Sequence, residues 1–275
     1  MKQKKQLFKF IFIKKQFLFL IFLGFIISKG FTQDEQSSHH FSWDITIGGA
    51  LSSFQDLKYS EVHWNGGGLA TGMSFIWQRK GIHATGIEGV ISTENPKTFD
   101  GTGKTKAYRG QFYYYYVHPV KHKQNCQLFL GAKIDVMDVN WRFVDGLSNN
   151  ASYLMYGINF KAFSNYQRKL NDKWQLDAQL GFQLFSFMED GNSFAYAAPQ
   201  PLLENGDYNY DKVQLPIYFT PFWKFLNIET NFRFSYGKRW VFSYLWRMQQ
   251  SYFVKNHKLT TGYSAITVSF KLISK

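Results

Sequence analysis

From residue 42 onward apolar and polar residues alternate with a period of two, the spacing of a strand rather than a helix. Trp174, Leu176, Ala178, Leu180, Phe182 and Leu184 share one face, against Gln175, Asp177, Gln179, Gly181 and Gln183. Successive strand side chains point to opposite sides, so such a segment has one apolar wall and one polar wall. The split recurs in Leu128, Leu130, Ala132, Ile134 and Val136 against Gln127, Gly131, Lys133 and Asp135. It recurs again in Leu226, Ile228, Thr230, Phe232 and Phe234 against Asn227, Glu229, Asn231 and Arg233, and in Trp43, Ile45, Ile47 and Leu51 against Asp44, Thr46, Gly48 and Ser52.

A soluble sandwich alternates in the same way, so the period alone leaves two architectures. Three further features favour a barrel closed in a membrane. The strands run to about ten residues or more, the length of a tilted strand crossing a bilayer. Aromatic residues collect at strand ends, at Trp77, Tyr113–Tyr116, Trp174, Trp240 and Phe270, as the two interfacial girdles of a membrane barrel require. The chain also has no second apolar-faced layer to cover so much aromatic surface, whereas lipid covers it directly.

Ten strands are predicted, centred near residues 48, 72, 87, 112, 132, 159, 181, 230, 246 and 266. The connectors sort by parity. Those after even strands are short and basic: Gln78–Gly81, His118–Gln124, Arg168–Lys173 and Gly237–Arg239. Those after odd strands are longer or richer in Gly and Asn: Gln55–Asn65, Asn95–Lys104, Asp145–Asn150, Met188–Phe222 and Gln250–His257. Bacterial barrels have an even strand number, short turns at one end and longer loops at the other. The fold class is therefore an all-β, up-and-down antiparallel transmembrane barrel of about ten strands. Twelve is the alternative, because the apolar stretches Phe194–Leu203 and Val213–Trp223 could add a hairpin. Pro199, Pro201, Pro216 and Pro221 weigh against it, since proline removes ladder donors.

The N-terminus departs from the pattern. Six lysines within residues 2–15 precede the unbroken apolar run Phe17–Ile27, with Ser28, Gly30 and Thr32 after it. A basic front, a short apolar core and small residues make a secretory signal peptide, predicted over residues 1–33 with cleavage near Thr32 or Gln33. An uncleaved anchor is the alternative reading. Residues 34–41 follow as a short tail, then the barrel over 42–275, with residues 188–222 as a long external loop. The leader changes the meaning of the charge. Its seven lysines and absence of acids account for seven of the +13 net charge of the 275-residue chain, leaving +6. Nucleic-acid binding thereby loses its main support. Composition is 45% hydrophobic and 20% aromatic, yet mean hydropathy is −0.30, as expected where a polar wall alternates with an apolar one. The single Cys126 excludes an internal disulfide framework and cysteine-rich metal sites.

The leader, the repeated amphipathic strands and the terminal segment Gly262–Leu272 resemble small porin-like outer-membrane β-barrel proteins of Gram-negative bacteria. That resemblance implies location in the outer membrane. It also implies that the last strand, whose Phe270 is followed by Lys-Leu-Ile-Ser-Lys, is recognised by a barrel-assembly machinery.

Candidate chemistry is sparse. His39 and His40 precede the first strand, His118 and His122 fall in a short turn, and His83 lies near the start of the third strand. Only His63, beside Ser60 and Glu61, and His257 fall in predicted external loops. The run Gly66–Gly68 lacks the strand-then-helix setting of a phosphate loop. No catalytic, cofactor or metal residue is assigned, and no cofactor is expected. The informative polar set is the inner-wall charges Asp44, Glu88, Arg109, Lys133, Asp135, Asp177, Glu229, Arg233 and Arg247, because ionisable groups at bilayer depth must face water or pair. They read as a paired ionic plug or a constricted polar pathway. Phe194, Tyr196, Tyr208 and Tyr210 are candidate external contacts. The expected function is a non-enzymatic barrel, either a small-solute channel or a structural and interaction scaffold. Its partners would be lipid, the assembly machinery, and small solutes or proteins. The alternative is a surface hydrolase acting on lipid or peptide.

Overall fold

The computed structural model describes residues 40–56, 63–96, 104–145, 152–191, 217–254 and 257–274. The first three strands are β1 (His40–Asp56), β2 (Trp64–Gln78) and β3 (Ile82–Pro96). They are followed by β4 (Lys104–Lys123), β5 (Cys126–Asp145), β6 (Ser152–Lys169) and β7 (Trp174–Gly191). The chain ends with β8 (Ile217–Pro221), β9 (Phe225–Tyr236), β10 (Trp240–Val254) and β11 (His257–Ser274). Each pairs antiparallel with its neighbour, and β11 pairs with β1 over almost its whole length. Both β8 and β9 lie against β7, β8 at Phe185–Glu189 and β9 at Trp174–Phe182. They are two halves of one wall position broken at Phe222–Lys224, so the eleven segments close a ten-position barrel. Closure removes the free edges of the sheet, and among the described residues only the short β8 pairs on one side alone.

The expected loop at 188–222 is shorter than the sequence indicates. Met188–Gly191 continue β7, and Ile217–Pro221 form β8 rather than an added hairpin. Pro221 ends its segment where the wall bulges, a position that tolerates a missing donor. Pro199, Pro201 and the contacts Phe194, Tyr196, Tyr208 and Tyr210 lie outside the described residues, as does the leader. At the other boundary β1 begins at His40, inside the segment read as a tail. The turn read at His118–Gln124 is shorter still. His118 and His122 belong to β4, which runs to Lys123, with Pro119 at a register shift.

The wall has the expected two sides. Large apolar residues are exposed outward all round, among them Ile47 at 60% and Ile266 at 72%. A monomer in water rarely exposes a continuous apolar surface of this extent. Aromatic pairs bound the band. At the short-turn end Trp174 lies 4.8 Å from Tyr236, Trp240 5.2 Å from Phe270 and Trp77 5.1 Å from the His83 ring. Toward the loop end Tyr108 lies 5.9 Å from Trp141 and Phe160 4.6 Å from Phe185. Along β4 the girdles stand at Tyr116 and Tyr108. At about 3.3 Å per residue and a tilt of about 40°, that separation spans roughly 20 Å, close to the apolar height of such barrels. A barrel of this kind resists SDS until heated. Unboiled protein is expected to migrate anomalously on a gel and shift on boiling; identical mobility in both lanes would contradict the closed membrane fold.

Gly66 and Gly68, from the run noted above, lie in β2 on the inward side. A Cβ at Gly68 would overlap the Ile91 carbonyl oxygen of β3. The glycines let the two backbones approach more closely than any side chain permits. Gly68→Val is expected to destabilise the barrel by about 1–3 kcal/mol through forced separation of β2 and β3, measured by urea unfolding in lipid.

Candidate functional site: the barrel interior

Inward side chains meet at three levels. At the loop end Phe54, Met155, Met188, Phe225 and Leu259 form an apolar cluster contributed by five strands, with Trp64 packed against it. Beside it Arg109 pairs with Glu94 at 3.2 Å and donates to the Ser53 and Gly262 carbonyls, which face each other across the β1–β11 seam.

The middle level is ionic. Glu229 of β9 holds two ammonium groups at 2.5 Å each, Lys133 of β5 through Oε1 and Lys161 of β6 through Oε2. Asp135 lies 2.7 Å from Lys161 and 3.6 Å from Lys133. Arg247 of β10 spreads its guanidinium over Asp138 at 2.5 Å, Asp135 at 3.4 Å and the Asn227 amide oxygen at 3.2 Å, and also donates to Gln111. Gln111 passes the network on by donating to Glu88, whose carboxylate also accepts from Tyr263 at 3.5 Å. Asn159 and Gln249 donate to Asp138 at 2.6 and 2.7 Å. Three cations thus face three carboxylates, with Glu88 bound through neutral donors. Strands far apart in sequence meet through charge pairs that each need the others to remain compensated.

The third level, toward the short turns, is divided. On one side Ile82, Ala84, Tyr115, Val117, Phe129 and Phe163 pack together. On the other Arg233 donates to Asp44 at 2.7 Å, and Asp177 accepts from Gln175 at 2.9 Å. Between this level and the middle lie cavities of about 70 and 40 Å³ that share Glu88, Tyr113, Asn231, Arg233 and Leu245. A third, of about 10 Å³, lies against Arg109, Asp138 and Arg247. By this measure one water needs roughly 10–15 Å³, so the first two spaces suit a few waters each and the third at most one.

All nine charges selected from the sequence are on the inner wall. Asp44, Arg109, Lys133, Asp135, Asp177, Glu229 and Arg247 are buried, while Glu88 and Arg233 are half-buried. The structure brings Glu88, Lys133, Asp135, Glu229 and Arg247 into one network, places Asp44 with Arg233, and sets Arg109 apart with Glu94. Sequence reading missed Asp138, Lys161 and Glu94. Asp138 was hidden by a bulge. Two residues of β5, Val136 and Met137, stand opposite one of β6, so the alternation changes phase and Asp135 and Asp138 both point inward. Met137 takes the outward position at 58% exposure. Lys161 left a readable signal, a lone lysine between Phe160 and Ala162 at mid-strand.

Among the described residues the histidines form no shared centre. His63 is exposed just before β2, with Ser60 and Glu61 outside the described residues, and His257 opens β11. His83 is on the outer wall, stacked on Trp77 and bonded through Nδ1 to the Tyr114 hydroxyl at 2.8 Å. Among the described residues no group of three or more His, Cys, Asp and Glu could hold a metal ion. No described helix is long and apolar enough to cross a membrane.

Strand order and wall pattern together define the chain as a closed antiparallel β-barrel of the outer-membrane type. No protein-family model and no curated protein matches it in sequence. Among solved structures it is similar to the outer membrane protease OmpT from Escherichia coli, at 8% identity, 89% of this chain and 99% of that one, with a TM-score of 0.46. It is also similar to Neisserial surface protein A, at 8% identity, 83% and 96% coverage and a TM-score of 0.33. OprG from Pseudomonas aeruginosa matches at 11% identity, 87% and 99% coverage and a TM-score of 0.33.

Proposed function

We propose that this protein is a plugged outer-membrane barrel, a membrane-embedded scaffold rather than an open solute pore. One observation carries the reading. The interior is filled by a charge network, with an apolar cluster toward the loops and another toward the short turns. A conducting lumen requires continuous water, whereas the spaces around the ionic network, of about 70, 40 and 10 Å³, hold from one to a few waters each. A larger space of about 430 Å³ is confined to the loop end of β1, β2, β10 and β11, against Leu51, Asn65, Trp246 and Thr260. Ten-stranded walls are narrow enough for long side chains to occupy most of the lumen. In this reading the charges stabilise and the loops interact. The outer membrane is its location, and β11, with Phe270 against Trp240, is the strand an assembly machinery would engage.

Planar-bilayer recording of purified full-length protein tests this. Electrical silence is expected, and steady single-channel steps would overturn it in favour of a constricted pathway. No observation among the described residues favours the hydrolase alternative, so substitution of His63 and His257 is expected to change no lipid or peptide turnover.

A further inference from the structure

The four short turns all gather cations at one end of the barrel. Arg79 and Lys80 lie between β2 and β3, and Lys238 and Arg239 between β9 and β10. Lys121 and Lys123 end β4, while Arg168, Lys169 and Lys173 flank the β6–β7 turn. All nine are exposed. Asp172 is the one carboxylate in these turns, and it is met by Lys169 at 2.9 Å. The two interior carboxylates at that end are buried and engaged within the lumen, Asp44 by Arg233 at 2.7 Å and Asp177 by the Gln175 amide at 2.9 Å.

Depth gives the collar a partner. Lys173 adjoins Trp174, Arg239 adjoins Trp240, and Arg79 lies two residues from Trp77. Those aromatics mark the interface, so at about 3.3 Å per residue the cations stand roughly 3–7 Å beyond it. A bilayer about 40–45 Å thick around a 30 Å core has a headgroup layer of about 5–7 Å on each side. The cations therefore reach the depth of lipid phosphates. They are also spread over turns joining four separate strand pairs, a ring suited to lipid surrounding the barrel rather than to one protein on a single side. We propose that this collar selects anionic phospholipid headgroups in the leaflet that the short turns face. The inference rests on the transmembrane fold but not on the plugged lumen, because a conducting barrel would show the same lipid preference.

The test reconstitutes full-length protein in phosphatidylcholine vesicles with trace spin-labelled phosphatidylglycerol or phosphatidylcholine of identical chains. The fraction of label immobilised at the barrel surface is measured. A preference for phosphatidylglycerol of about threefold or more is expected at low salt. It should approach unity near 1 M salt, where the screening length is about 3 Å. It should also fall by about half in the R79Q/K80Q/K238Q/R239Q variant, which removes four of the nine cations, with heat-dependent gel mobility confirming a folded barrel. If that variant does not fold, R168Q/K173Q carries the same test with a smaller expected loss. Equal association of the two lipids with the wild type would overturn the proposal, as would a preference that folded variants retain. Inorganic phosphate added at constant ionic strength should leave the preference intact; displacement would assign the collar to free phosphate and overturn the lipid reading.

Discussion

Replacing Glu229 with Leu is expected to lower barrel stability by about 3–5 kcal/mol, the cost of removing one partner from a buried ion pair. Glu229 takes one ammonium on each carboxylate oxygen, so its loss leaves Lys133 and Lys161 facing Asp135, which Arg247 also shares. The cost comes from uncompensated buried charge more than from the two lost bonds. A second variant separates the explanations. Glu229→Leu combined with Lys161→Met removes one charge of each sign and should recover a large part of the loss, since apolar replacement of a whole buried pair is often near neutral. Urea unfolding in lipid, read by tryptophan fluorescence, measures both. A single variant as stable as wild type would mean that the middle level is solvated, and would therefore also count against the plugged interior.

Ile266→Arg is expected to cost about 2–4 kcal/mol in a bilayer, the penalty for arginine at the midplane of a barrel's lipid face. Ile266 is the most outward large residue of β11, at mid-strand opposite Gly49 and Tyr244. The same change at Lys121 or Lys238, in the basic collar, should be neutral because those positions already carry an exposed cation. If the wall faced water, Ile266→Arg would be harmless or would improve solubility. Comparing folding yield into vesicles for Ile266→Arg and Lys238→Arg thus tests the outward face directly.

Much of this architecture is legible in the chain because a barrel wall preserves period two wherever it is regular. The outward Leu176, Leu180 and Phe182 and the inward Asp177 and Gln183 follow strict alternation. The short basic turns are readable because each is a break of few residues between long alternating runs. Legibility fails where the ladder slips. Val136–Met137 in β5 and Leu184 in β7 each insert one residue, and beyond them every side chain changes sides. Pro216 and Pro221 make the first half of the eighth wall position read as loop, although β7 supplies a partner for Ile217–Pro221.

The sequence by itself determined the period, the ten-strand count, the girdles and the sign of the turn charges. All of these depend on neighbours a few residues apart. Only the tertiary structure decided which charges meet. Glu229 lies 96 residues from Lys133, and Arg247 lies 109 from Asp138. Closure of β11 on β1 brings the first and last strands side by side, and one bulge turns Asp138 inward. Pairing between distant strands depends on register and closure, which strand-local alternation does not encode, so the chain specifies a polar inner wall and the closed barrel makes it a compensated network.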